Sequence, residues 1–302
     1  MMKLSRRVRH IFLVVALMLA IAPSVQAETM QLLHQERSLY REVLVYQTGD
    51  MRCMCFTRSC RIGRQTCVDM KQPRHIVFSY PQFMLASLYV NPRPRTILLI
   101  GLGGGTLPRA INELLPEAQL DVVEIDPAVI RVAKDFFGFA ENKATHVIES
   151  DGRVYVKRAR REQRTYDWIL LDAFDHEYIP EHLLTREFLG EVRSILNPNG
   201  VLTANTFASS RLYDHESVTY ASVFPVFFNL KSTNRVIIAT NGPLPGDEQI
   251  RANSRAWESR FEQLGFERPN LSEMFSRKVD WNVRARVLTD QYSPANLLNA
   301  GE

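Results

Sequence analysis

The strongest constraint on this chain is the order in which short apolar runs recur and the residues that end them. Apolar runs occupy residues 97–100, 120–125, 146–149, 167–171 and 201–205. Helical patterns separate them, reaching to about 115 and then spanning 126–137, 154–163 and 186–196. Strand-length runs alternating with helices predict a doubly wound, mostly parallel sheet with helices on both faces. Asp126-Pro127 supports the second helix, as an N-cap with proline at the first helical position. Asn197-Pro198-Asn199-Gly200 reads as a turn before the fifth run. Two further β-rich runs, 226–230 and 235–240, predict an antiparallel hairpin at one edge.

In such a sheet, ligands bind outside the carboxyl ends of the strands. Four ligand-type signals fall there. The glycines Gly101, Gly103 and Gly105 follow the first strand, where bare backbone can approach a ligand. Glu124 closes the second, 19 positions past Gly105, where an acid commonly holds ribose hydroxyls. Asp151-Gly152 follows the third strand, and Asp172 with Asp175 the fourth. A glycine run alone also serves tight turns, and Thr106 holds the third glycine position of G-x-G-x-x-G, which argues against NAD. Four signals after four successive strands point instead to a nucleoside pocket of another kind.

Charge narrows the class further. The net charge of +4 lies entirely within residues 1–27, where Lys3, Arg6, Arg7 and Arg9 face no acid. The rest of the chain is neutral, so a nucleic-acid partner has no electrostatic footing and none is expected. The run Lys157-Arg158-Ala159-Arg160-Arg161 reads as a solvated helix face, with Val154 and Tyr155 turned to the core. Ahead of the globular part, a basic stretch, an apolar run at 11–22 and Val25-Gln26-Ala27 form a secretory signal with cleavage near Ala27. That run is short of the ~20 residues needed to span a bilayer, although an uncleaved N-terminal anchor is the alternative. Either way the folded part is expected outside the cytoplasm, in the periplasm, with no membrane contact beyond the leader.

Export bears on Cys53, Cys55, Cys60 and Cys67. An even, clustered set in an oxidising compartment favours two disulfides, with three connectivities open. The spacing C-x-C-x4-C-x6-C lacks the paired C-x2-C of common zinc sites, and no metal is expected. Residues 42–56 read as strand, turn, strand, with Cys53 and Cys55 on one face. An apolar helix is expected at 77–90 and a surface helix at 249–264. The chain divides into a leader (1–27), a small β-hairpin unit (28–75), the α/β domain (76–245) and a C-terminal helix and tail (246–302).

The stretch from about Leu39 to Phe207 resembles the polyamine aminopropyltransferases, the spermidine synthase family, which share the class I methyltransferase-like Rossmann fold. The residues that carry it are Ile-Gly-Leu-Gly-Gly-Gly-Thr-Leu (100–107), Val-Val-Glu-Ile-Asp-Pro (122–127), Asp151-Gly152, Leu-Leu-Asp-Ala-Phe-Asp (170–175) and Leu-Thr-Arg-Glu-Phe-Leu (184–189). The resemblance implies transfer of an aminopropyl group from decarboxylated S-adenosylmethionine to an amine or polyamine. Glu124 would bind the ribose, Asp151 the adenine amino group, Asp172 would be the general base, and Asp175 with Tyr80 would bind the acceptor. It also implies a homodimer. Leu288-Thr289-Asp290 with Pro294 resembles a tail of spermidine-synthase-like proteins and has no role that the sequence assigns.

The chain departs from the family at several points. The aspartate of the family's glycine loop is Gly104 here, and the tyrosine-histidine-glutamate segment is Tyr80-Pro81-Gln82. A family glutamine falls near Arg41, and Asp175-His176-Glu177-Tyr178 replaces an aspartate-proline loop. The basic segment 52–74 reads as a solvated hairpin surface. Two other functions stay open at this point: an exported nucleoside- or polyamine-binding protein without turnover, and an S-adenosylmethionine-dependent methyltransferase. Against the latter, Leu99 stands where methyltransferases usually place an acid before the glycine motif.

Overall fold

A computed structural model describes residues 29–58, 60, 63–174, 180–208, 211–266 and 270–299. Four strands come first: β1 (Gln31–Arg37), β2 (Glu42–Thr48), β3 (Met51–Cys55) and β4 (Arg64–Asp69), paired antiparallel in chain order. The hairpin expected at 42–56 is β2–β3, and β1 and β4 widen it into a sheet. Cys53 and Cys67 face each other across β3 and β4 and are bonded, and Cys55 is bonded to Cys60. That pairing consumes all four thiols. The basic segment around this sheet is tied to neighbours: Arg52 to Gln47 and the Phe136 carbonyl, Arg58 to Glu42, Lys71 to Asp50 and Arg74 to Glu113.

After α1 (Ser79–Leu85) and a 3₁₀ turn at Ala86–Tyr89, the parallel sheet begins. Its first half runs β5 (Thr96–Ile100), α2 (Thr106–Leu114), β6 (Gln119–Glu124), α3 (Pro127–Phe137), β7 (Thr145–Glu149) and α4 (Gly152–Arg161). The second half runs β8 (Tyr166–Leu171), α5 (Arg186–Ser194), β9 (Leu196–Phe207), α6 (Leu212–Val223), β10 (Phe228–Lys231) and β11 (Asn234–Thr240). Among the described residues the strand order is β10-β11-β9-β8-β5-β6-β7, with β10 and β11 antiparallel at one edge, as expected. The chain starts at β5, winds outward to β7, and returns to β8 on the other side of β5. Beside β5 lies the switch point at which open α/β sheets bind ligands. Alternate residues feed two cores: Ile97, Leu99 and Val122 pack on one face, and Leu98, Ile169 and Leu202 on the other.

Three readings need correction, and one helix escapes the sequence pattern. The Asn197–Gly200 turn is not a boundary but a bulge inside β9. The register jumps from Tyr166 opposite Leu196 to Trp168 opposite Val201, and Asn199 takes up the irregularity at φ 61°. The helix expected at 249–264 is two, α7 (Asp247–Arg255) and α8 (Glu258–Glu262), and Ile250, Trp257 and Phe261 are buried in the core rather than lying on a surface. Val154 is exposed, because α4 starts at Gly152 and its inner stripe is Tyr155, Val156 and Ala159. Finally, α6 has no apolar stripe to betray it, since Glu216, Ser217, Thr219 and Tyr220 are all buried. The tail ends in α9 (Ala295–Asn299). Among the described residues no helix is long and apolar enough to cross a membrane, and the leader lies outside them.

Candidate functional site

The carboxyl ends of β5, β6, β7 and β8 open into one cavity, roofed on the other side by the N-terminal sheet. Gly101, Gly103, Glu124, Asp151, Gly152, Asp172 and Tyr80 all line it, so the residues expected from strand-end register meet in space. Gly105 lies beneath the loop as the residue before α2, at φ 76°. Asp175 and the His176–Tyr178 segment lie outside the described residues.

Each acid is held differently. Glu124 accepts from the Leu102 amide at 2.9 Å and the Asp126 amide at 3.0 Å, one through each oxygen. Burial raises its pKa, while those two amides and the Arg41 charge pull it down by less. Each oxygen keeps a lone pair for a hydroxyl. Asp172 stands where β8 leaves β5, its amide bonded to the Ile100 carbonyl at 2.8 Å. The Asn205 amide donates to its Oδ1 at 3.0 Å, and the buried Tyr80 hydroxyl is a second donor that favours the ionised carboxylate. Burial pushes Asp172 up to about 6, against those two donors, with the Glu124 charge adding to the rise. Asp151 caps α4, accepting from the Val154 amide at 2.9 Å, and its other oxygen lies 2.7 Å from His182 Nε2. Burial works upward here too, but the imidazole and the helix amides hold this carboxyl below its ordinary value.

Two glycines are dictated by close approach. A Cβ on Gly101 would sit 2.1 Å from the Asp172 carbonyl oxygen, and φ is 100°. On Gly104 it would sit 2.3 Å from the Thr66 methyl. The aspartate that the family places at this loop position therefore has no room, because β4 fills the space. The Thr66 and Thr106 hydroxyls meet there at 3.2 Å, giving a neutral wall.

Sequence reasoning missed two residues and placed one only by analogy. Asn205 sits at the end of the fifth parallel run, and a polar residue at that strand end was the available signal. His182 carries no sequence signal. Arg41 stands at the cavity with its guanidinium 4.3 Å from the Phe56 ring centre. Ser38 fixes that corner, donating to Asp126 at 2.6 Å and accepting from the Tyr40 and Arg41 amides.

Comparison with known proteins agrees with this geometry. Residues 81–231 match the family model described as the spermine/spermidine synthase domain. A polyamine aminopropyltransferase of Vibrio vulnificus is 46% identical over 272 residues, covering 88% of this chain and 91% of that protein. The solved structure of a probable spermidine synthase from Corynebacterium glutamicum superposes with a TM-score of 0.62 at 17% identity, covering 74% of this chain and 85% of that one. Human methyltransferase-like protein 13, solved in complex with SAH, gives a TM-score of 0.56 at 25% identity, covering 63% of this chain and 94% of that one.

Proposed function

This chain belongs to the spermine/spermidine synthase family, and from that premise we propose that it moves an aminopropyl group from decarboxylated S-adenosylmethionine to an amine acceptor, with Asp172 as the general base. The sulfonium of the donor activates the adjoining carbon. The acceptor nitrogen forms the new C–N bond as the C–S bond breaks, and methylthioadenosine leaves. A protonated amine has no free pair for that attack, so a carboxylate must take its proton and aim the lone pair.

The observation that carries the reading is the environment of Asp172. Its pKa of about 6 leaves it ionised at neutral pH yet basic enough to receive a proton. Asn205 holds the carboxylate through Oδ1, and the Tyr80 hydroxyl favours its ionised form. Glu124, with spare lone pairs at the end of β6, suits the ribose hydroxyls. Asp151, kept anionic beside His182, suits the adenine amino group. Gly101 and Gly103 supply the open backbone between them, and Asp175 adds a second acid for the acceptor. Two disulfides in the N-terminal sheet support reading residues 1–27 as a secretory signal and the mature protein as periplasmic.

The test is Asp172→Asn. Turnover with amine acceptors should be lost while calorimetric binding of methylthioadenosine stays within twofold of the parent. A variant as active as the parent would remove Asp172 from the role.

A further inference from the structure

The C-terminal tail, which the sequence singled out without a role, is bonded to one side of this cavity. Arg153, in the first turn of α4 and two residues from Asp151, has a nearly buried guanidinium, its side chain 11% exposed. It makes paired bonds to Glu191 at 2.9 and 3.0 Å and to Asp290 at 2.7 Å each. Its Nη1 also reaches the His182 carbonyl at 3.4 Å. Asp290 accepts from the Thr185 hydroxyl at 2.7 Å as well. Arg153 holds Asp290 well below the usual carboxylate range, at about 2.

Other tail bonds bracket His182. The Arg186 amide donates to the Leu288 carbonyl and the Asp290 amide to Glu187, on its C-terminal side. Ser293 donates to the Glu181 carbonyl and the Asn296 amide to the Glu181 carboxylate, on the other. Leu288 and Ala295 are fully buried against Leu184 and Leu212. His182 itself sits on a 3₁₀ turn of three residues, Glu181–Leu183. So short a turn has no cooperative stability of its own, and its position follows from what grips it.

We propose that the tail is a positioning clamp for the nucleoside base: Asp290, through Arg153 and Thr185, fixes the turn that holds His182 against Asp151, and so aims the free lone pair of that carboxylate at the 6-amino group of a purine. The proposal rests on the nucleoside reading above. Asp290 touches no ligand and is a positioning residue. Without its charge, Arg153 keeps only Glu191 as a carboxylate partner, and the turn keeps only the 3.4 Å bond from Arg153 Nη1 to the His182 carbonyl and its own bond to Asp151, with no charged brace from the tail.

Calorimetry on the oxidised full-length protein tests this with two probes, methylthioadenosine and its 6-oxo analogue methylthioinosine. An aimed acceptor favours the amino compound and repels the oxo compound. Asp290→Ala should weaken methylthioadenosine about tenfold, leave methylthioinosine unchanged and so collapse the preference. Asp290→Glu should retain it. His182→Gln should reproduce the loss, and the double variant should add nothing further. Asp290→Asn, which keeps shape and the Thr185 bond, provides the same readout if the alanine variant fails to fold. A lower melting temperature with an unchanged preference ratio would make Asp290 merely structural and overturn the clamp. A parent protein that binds neither probe would instead overturn the nucleoside reading, and the clamp with it.

Discussion

The two ends of the cavity put an aspartate after a parallel strand and tune it in opposite directions. At one end Asp172 is surrounded by neutral donors, Tyr80 and Asn205, with Glu124 nearby, and burial carries it up to about 6. At the other, Asp151 meets an imidazole and the amide end of α4, and its carboxyl is held low. Residue type and strand-end position are the same, so they do not decide the chemistry. The partners do: neutral donors in a desolvated place leave a carboxylate able to take a proton, whereas an imidazole and the amides of a helix start keep it an acceptor.

The largest effect that would break this comparison is on Asp172. Replacing it with asparagine should lower turnover by about 10²–10⁴-fold with little change in methylthioadenosine affinity. Asp151→Asn should do the reverse. It keeps an oxygen for the Val154 amide but loses the charge, so affinity should fall about tenfold while turnover at saturation is spared. If both variants changed kcat and affinity alike, the two ends would not be functionally distinct.

A smaller effect sharpens the difference. The rate should fall as pH drops through about 6, because Asp172 must be ionised to act as base. Tyr80 stabilises the ionised form, so removing its hydroxyl raises the carboxyl further. In Tyr80→Phe the acidic limb of the pH–rate profile should move upward, with the largest loss near pH 6 and the least near pH 8. A limb that stays in place would mean that Asp172 is not the group it reports. Smallest is the tail effect, Asp290→Ala, seen as a change in purine preference rather than in chemistry.

Much of this was legible in advance for a local reason. Short apolar runs must be buried strands, their alternation with helices requires parallel pairing, and parallel pairing brings Gly101, Glu124, Asp151 and Asp172 to one edge. The Asp126-Pro127 cap was equally local, and the structure shows the Asp126 side chain accepting from the Ala128 amide. Where polar residues are buried, the period disappears: α6 carries Glu216 and Thr219 inward and could not be read. Disulfide pairing was undetermined until β4 brought Cys67 opposite Cys53.

What the sequence by itself determined, then, is the parallel sheet, the edge on which chemistry can occur and the acids that stand there. Tertiary structure alone decided how those acids behave. Tyr80 and Asn205 on Asp172, His182 on Asp151, Thr66 against Gly104 and Asp290 on Arg153 are each contacts between residues 31 to 137 positions apart. A helical or strand period orders only near neighbours, so no local pattern encodes such contacts; they arise when packing closes the chain around the cavity and sets the desolvation and hydrogen bonds that tune each carboxylate.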